Sequence, residues 1–332
     1  MPSWGELLGS IQLAEQTQGP VNFDQRRLEA LKTISDVTDR PVVSYYAAFL
    51  SANGPQAAAA TAINLGDIQG LMEVFRGLSG TGLDVILHSP GGQAEATDSL
   101  VRYMRSKYSN IRVFVPLAAM SAATMWAMAA DEIFMGKHSQ LGPIDPQVTL
   151  PAGIQVPAGA LLEQFETALD ECSHDPGRVA GWLPTLQQYP PGLLNLCKSA
   201  SELSKALVEE WLRSYMFADD PTEAAGVAAW LADDKIHLSH GRALRREDLL
   251  EHGLKVTELE KDEALQDAVL TYHHLAMLTF QATSAFKIIE NNIGSRFISQ
   301  GQVIQPVIQP QGFPMPFPVP ISPVPAQANI LP

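Results

Sequence analysis

The sequence is poor in cysteine. Cys172 and Cys197 are the only two among 332 residues. They are too few for a disulfide framework, and they lack the short spacings typical of zinc sites. We therefore expect neither a disulfide-stapled secreted scaffold nor a metal site built on cysteine, and we predict no metal or other cofactor.

The sequence also lacks positive charge. Its formal net charge is −14 and its calculated pI is about 4.9. A strongly acidic surface repels phosphate-rich partners, so this charge argues against binding to nucleic acid or to an anionic membrane surface.

Long apolar runs and targeting segments are missing as well. No apolar run approaches the roughly 20 residues of a membrane span. The first residues, Met1 to Glu6, have neither the basic region nor the apolar core of a signal peptide. A Walker-type glycine loop is not found, so any ATPase partner would be a separate chain. These absences favour a cytoplasmic protein.

What the sequence does contain is an α/β pattern from Asp84 to Pro146. Short apolar, β-branched runs typical of strands alternate with stretches of helical periodicity. Strands connected by helices of this length indicate right-handed parallel βαβ units. The predicted strands are 85–87, 111–115 and 133–135, with an earlier one at 41–46.

Two turns in this stretch carry residues suited to chemistry. The Gly91-Gly92 turn ends one strand, and Ser121 stands where the next strand leads into a helix. In a parallel sheet both turns reach the same carboxyl edge, where open α/β folds usually bind ligands. A serine hydroxyl facing backbone N–H groups of Gly91 or Gly92 and Ala122 has the parts for acyl transfer, and one such donor is typically worth roughly 10²–10³ in rate. The spacing alone equally allows Gly-Gly to be a plain turn and Ser121 a small residue in close helix packing.

A family resemblance bears on this choice. Ser89-Pro90-Gly91-Gly92 and Met120-Ser121-Ala122-Ala123 resemble the oxyanion strand and nucleophile helix of Clp/crotonase-fold serine peptidases. These include the Clp protease proteolytic subunit, signal peptide peptidase A and NfeD-type proteases. The run from Ser121 through Leu141-Gly142-Pro143-Ile144-Asp145-Pro146 is most similar to the serine dehydrogenase proteinase (SDH-type) group. The resemblance covers roughly residues 40–256.

The resemblance implies an α/β fold with a repeated ββα spiral core and a serine endopeptidase activity through an acyl-enzyme at Ser121. It implies a polypeptide substrate and a homo-oligomer that encloses its sites. We expect an N-terminal helical segment (1–38), the peptidase domain (39–256), a long C-terminal helical arm that packs against another subunit (257–299) and a Pro- and Gln-rich tail (300–332).

The tail is rich in proline and is expected to be extended polyproline or disordered. It either occupies the active-site groove or docks on a partner, and a membrane protein or an unfoldase is a partner that the sequence leaves open.

The general base is the least defined residue. The histidine of the Clp proteolytic subunit would align near Ile144 or Asp145, several residues past His138. Signal peptide peptidase A and NfeD-type enzymes use a Ser-Lys dyad, and the matching residue is Lys198, with Lys205 second and Lys137 a further candidate. A lysine base requires its pKa to fall from about 10.4 to about 7–8. Lys198 is the expected base, and Lys205 and His138 are the alternates.

Two other functions remain open. A scaffold or adaptor could keep the fold after losing its base, and a crotonase-type acyl-CoA enzyme would share the oxyanion turns. We expect packing or surface roles for His273-His274, a core or substrate-edge role for His88, and a loop-anchoring role for Asp145.

Overall fold

The computed structural model describes residues 3–51, 54–150 and 153–301. Most of the predicted Pro- and Gln-rich tail, residues 302–332, lies outside these ranges.

A seven-stranded sheet organises the chain. Strands β1, β2, β3, β5 and β9 run parallel at its centre and one edge, while β10 and β11 add two antiparallel strands at the other edge. The order across the sheet is β11-β10-β1-β2-β3-β5-β9. The strands are β1 Val42–Ala47, β2 Gly82–His88, β3 Asn110–Val115, β4 Ala118–Ala119, β5 Glu132–Met135, β6 Gln140–Leu141, β7 Gln147–Thr149, β8 Gln155–Pro157, β9 Val256–Glu258, β10 Ala285–Asn291 and β11 Arg296–Gln300.

Helices cover both faces of this sheet. Because the side chains of a strand alternate between the two faces, a strand buried on both sides reads as a continuous apolar run. Thus Val85 packs into one core while its neighbour Ile86 packs into the other. The helices are α1 Trp4–Gln18, α2 Phe23–Thr38, α3 Pro55–Thr61, α4 Asp67–Phe75, α5 Ala94–Arg105, α6 Ala122–Met128, α7 Ala158–His174, α8 Val179–Leu186, α9 Leu193–Ser214, α10 Ala224–Leu231, α11 Asp234–His237, α12 Arg246–Glu251 and α13 Glu263–Ala282.

The predicted α/β architecture with a central sheet is confirmed. The register aligns Val43 with Val85 and Val85 with Val113, so the first strands of the pattern are direct neighbours in the parallel part of the sheet. As a result, the glycine turn after β2 and the serine turn after β3 leave the sheet at the same edge.

The C-terminal segment differs from the helical arm expected over 257–299. The helix α13 ends at Ala282, and β10 and β11 then join the central sheet. The run Ile288-Ile289 favours a strand, and Gly294, at φ +103°, allows the tight turn between the two strands. Helix α13 packs on α2 of the same chain and is buried along most of its length. Its apolar surface therefore serves the core of this chain.

Within the described residues, none of the helices combines the length and the apolar character needed to cross a membrane.

Two buried histidines lie between the sheet and α13. His88 is completely buried, and neither ring nitrogen has a hydrogen-bond partner among the described residues. Its ring lies 5.3 Å from that of His273, which is also buried and reaches Tyr46 Oη through Nδ1 at 3.3 Å. Burial lowers the pKa of His88 to about 4 and that of His273 to about 2.

These histidines make folding sensitive to acid. The unfolded chain binds protons at both positions below about pH 6.5, whereas the folded chain keeps both rings neutral, so the free energy of unfolding falls as the pH drops. Between pH 7 and pH 5 we expect each histidine to lower the free energy of unfolding by about 2 kcal/mol. Urea unfolding of wild type and His88→Leu at both pH values measures this, and the variant should lose less stability than wild type. The matched control His174→Gln changes an exposed histidine and should behave as wild type. Equal pH dependence in wild type and His88→Leu would contradict the expectation.

Candidate active site

Ser121 sits in a strained turn between β4 and α6. Its backbone has φ 52° and ψ −121°, a conformation that residues other than glycine rarely adopt. Thr124 stabilises the turn because its Oγ1 donates to Ala119 O at 2.8 Å and accepts from Gly142 N at 2.9 Å. Backbone strain of this kind clusters at functional sites, where the surrounding structure holds it in place.

The glycine turn touches this serine directly. A Cβ atom on Gly91 would lie 2.5 Å from Met120 O and 2.8 Å from Ala122 N. Two backbone hydrogen bonds join the segments, from Ser89 N to Ala118 O at 3.1 Å and from Met120 N to Ser89 O at 2.9 Å. Only a residue without a side chain can occupy position 91, so this glycine is required for the close approach of the two backbone segments.

Two N–H groups at this junction are available to a ligand. Ile63 N donates to Gly91 O at 2.7 Å. Because a trans peptide group directs its C=O and N–H in opposite directions, the N–H of Gly92 points away from Ile63. Ala122 is the first residue of α6, where an N–H has no partner within the helix. Neither N–H finds an acceptor in the described part of the chain, whereas Gly91 N donates to Ser89 Oγ at 3.2 Å. Of the three predicted oxyanion donors, Gly92 and Ala122 are therefore free and Gly91 is engaged.

A cleft of about 700 Å³ opens over Ser121. The glycine turn and the start of α6 form its floor, and α9 contributes Ala200, Leu203 and Ser204 to one wall. Phe49 and the end of α3 lie on another side. The cleft is lined mainly by small and apolar side chains.

His240 also lines this cleft, and the sequence-based search missed it. Its Nδ1 lies 2.8 Å from Asp145 Oδ1, although the two residues are 95 positions apart. The side chain of Asp145 is 4% exposed, and its second oxygen accepts from Gln147 Nε2 at 2.7 Å. A carboxylate accepts hydrogen bonds only, so Nδ1 is the donor in this contact, and Nε2 is the nitrogen that a neutral ring leaves as an acceptor.

The role expected for Asp145 was to tie down a loop, and its contacts also orient a histidine. The only sequence signal for His240 is that it falls within residues 40–256, over which the family resemblance extends. His240 and Asp145 are joined by tertiary structure, and spacing in the chain does not predict the pair.

The predicted lysines do not reach the cleft of their own chain. Residues of a helix advance by about 100° each, so the cleft-facing positions 200, 203 and 204 place Lys198 and Lys205 on the opposite side of α9. The side chain of Lys198 is 71% exposed and lies 4.0 Å from Glu202. Lys205 is exposed as well. Neither lysine is buried within its own chain.

His138 and Lys137 are also exposed, in the turn after β5, and do not line the cleft. Burial lowers the pKa values of His273 and His274, and His138, which lies near this pair, lowers both a little further. Among the residues that the structure covers, no group of three or more His, Cys, Asp and Glu side chains is arranged to hold a metal ion.

The backbone strain at Ser121 has a measurable consequence. Glycine adopts φ near +50° without steric cost, so Ser121→Gly should relieve strain that Ser121→Ala retains. We expect the glycine variant to be more stable than the alanine variant by about 1 kcal/mol, because alanine keeps the unfavourable positive φ. Urea unfolding of both variants at one pH decides this. An alanine variant as stable as the glycine variant would contradict it.

The segment with these turns matches a known family. Residues 64–176 fit the family model described as ClpP-like SDH-type serine proteinase. This range contains the glycine turn, Ser121, His138 and Asp145, and excludes His240, Lys198 and Lys205.

Two similar curated proteins are uncharacterised proteins of Methanocaldococcus jannaschii. One is 30% identical over 154 residues, which is 44% of this chain and 52% of the relative. The other is 37% identical over 83 residues, which is 25% of this chain and 27% of the relative. The chain thus spans about half the length of one relative and about a quarter of the other.

Among solved structures, a mutant of the membrane-bound stomatin-specific protease 1510-N is similar over 53% of this chain and 63% of its own, at 16% identity and a TM-score of 0.33. A TM-score this low adds nothing to the fold assignment. The family model nevertheless confirms the resemblance in sequence, because the segment that it matches holds both the glycine turn and Ser121.

Proposed function

We propose that this protein is a serine endopeptidase that cleaves polypeptides through an acyl-enzyme at Ser121. The observation that carries the proposal is the meeting, in one cleft, of a strained serine, two free N–H groups and a histidine oriented by a carboxylate. The family match of residues 64–176 supports it. We assign His240 as the base in place of Lys198, because His240 lines the cleft and Lys198 does not.

In this mechanism Ser121 Oγ attacks the scissile carbonyl carbon as its proton passes to His240 Nε2. Asp145 accepts from Nδ1 and stabilises the imidazolium that forms. The N–H groups of Gly92 and Ala122 donate to the oxyanion. Collapse of the tetrahedral intermediate breaks the C–N bond, and the amine leaves with the proton from Nε2.

The acyl-enzyme is then hydrolysed. A water molecule gives a proton to His240 Nε2 and attacks the ester carbon, and the same two N–H groups hold the second oxyanion. Collapse breaks the bond to Ser121 Oγ, which recovers its proton from His240. The acid product and the free serine complete the cycle.

The proposal includes a Clp/crotonase-type spiral core and an assembly of several copies around enclosed sites. In such an assembly a lysine from a second copy could enter the cleft, and a Ser-Lys dyad would then replace the histidine. The contact between His240 and Asp145 within one chain favours the histidine.

A set of variants tests the assignment of the base. Ser121→Ala and His240→Ala should each lower kcat for a fluorogenic peptide by about 10³-fold or more, since the members of a nucleophile–base pair act as a unit. Lys198→Ala, Lys205→Ala and His138→Ala change exposed residues and serve as matched controls, with activity within about twofold of wild type. Casein cleavage and labelling by a fluorophosphonate are measured on the same samples, each checked for its oligomer size.

Each other result points to a different function. Loss of activity in Lys198→Ala, with His240→Ala still active, would establish a Ser-Lys dyad. A wild type that neither cleaves nor takes up the fluorophosphonate would favour the inactive scaffold. Binding of CoA thioesters would favour the acyl-CoA enzyme.

The glycine turn provides a second test. In Gly91→Ala the new Cβ collides with the Ser121 turn, so we expect kcat to fall by about 10²-fold or more. The matched control is Gly80→Ala, which has a similar positive φ of +102° but open space around its Cβ. Both variants carry the backbone strain, and only the first disturbs the site. Equal kcat values in the two variants would count against an oxyanion role for this turn.

A further inference from the structure

A buried ion pair lies behind the glycine turn, outside the cleft. Lys287, on β10, has a side chain that is 2% exposed, and its Nζ donates to both carboxylate oxygens of Asp67 at 2.8 Å. The third donor of the ammonium group reaches Ala62 O at 2.6 Å. A buried cation is costly unless its donors are satisfied, and here all three are.

The ion pair holds both ends of one short segment. Lys287 binds the carbonyl of Ala62, and Asp67 Oδ2 accepts from Asn64 N at 3.0 Å. Tyr45 Oη donates to the same carboxylate oxygen at 2.7 Å, which fixes its orientation from the central strand β1. Segment 62–64 is therefore anchored on each side of Ile63.

Ile63 in turn holds the glycine turn. Its N donates to Gly91 O at 2.7 Å, and its O accepts from Gln93 N at 3.0 Å. A Cβ on Gly92 would lie 2.3 Å from Ile63 O, so the two backbones are in direct contact. The bond to Gly91 O fixes the plane of the peptide that joins Gly91 to Gly92, and that plane sets the direction of the Gly92 N–H.

We propose that Lys287 and Asp67 are positioning residues for the oxyanion donor at Gly92. The ion pair acts through segment 62–64, and it touches neither the substrate nor Ser121. The inference rests on the proposed peptidase function and adds to it the residues that preorganise one donor. Preorganised donors act only when they are held at the place where negative charge develops.

The test removes both charges at once. In Lys287→Met/Asp67→Asn the asparagine oxygen still accepts from Asn64 N and Tyr45 Oη, while the hydrogen bond from residue 287 to Ala62 O is lost.

A second buried ion pair, which also includes a residue of β10, supplies the matched control. Arg27 and Glu290 pair at 2.7 Å and make no contact with segment 62–64. In Arg27→Met/Glu290→Gln the chemical changes are equivalent, and the glutamine still accepts from Tyr272 Oη.

Four quantities are measured on both double variants: kcat and KM for a peptide, the affinity for a peptide aldehyde, and the urea midpoint. The aldehyde forms a tetrahedral adduct with the serine and places an oxygen at the oxyanion donors. We expect Lys287→Met/Asp67→Asn to lose about 10- to 100-fold in kcat and in aldehyde affinity together, with KM within about twofold. The control should lose stability without that loss of kcat.

The outcomes separate the inference from the function on which it rests. If wild type cleaves and the two double variants have equal kcat, the positioning role is overturned and the peptidase stands. If wild type does not cleave, the proposed function fails, and the inference fails with it. Should the double variant not fold, Lys287→Met alone, which also removes the bond to Ala62 O while Asp67 keeps its bonds from Asn64 N and Tyr45 Oη, is compared with Arg27→Met by the same measurements and decides in the same way.

Discussion

The site depends on one close approach, the contact between the Gly91-Gly92 turn and the backbone around Ser121. No side chain fits between them, because a Cβ on Gly91 would lie 2.5 Å from Met120 O. Gly92 and Ala122, whose N–H groups are free, line the same cleft as Ser121. The contact also requires Ser121 to hold a φ of 52°, which a serine adopts only when its surroundings enforce it.

The rest of the fold holds the two turns in this arrangement. The parallel register of β2 and β3 delivers both turns to one edge of the sheet. Thr124 holds the serine turn from within, and the buried pair of Lys287 and Asp67 holds the glycine turn from behind. Strained and buried polar groups therefore lie around the cleft, and each of them lowers the stability of the fold. The helices on both faces of the sheet offset this loss by burying apolar side chains.

The proposed base, His240, illustrates how a candidate site can depend on contacts far apart in the chain. A lysine near the start of α9 satisfied the family pattern, but helical rotation directs it away from the cleft. His240 comes from a loop without a marked motif and is oriented by Asp145, 95 positions away. The C-terminal segment shows the same limit, since the apolar stretch that resembled an arm forms α13 and two strands that complete the sheet.

The sequence by itself determined the local features: the parallel strands, the glycine turn and the serine at the head of a helix. These follow from periodicity and backbone preferences, which act over a few residues. Only the tertiary structure decided which N–H groups are free, which histidine meets the cleft and which charges lie buried behind it. Those properties depend on the distance and direction between segments far apart in the chain, and residue spacing does not encode them.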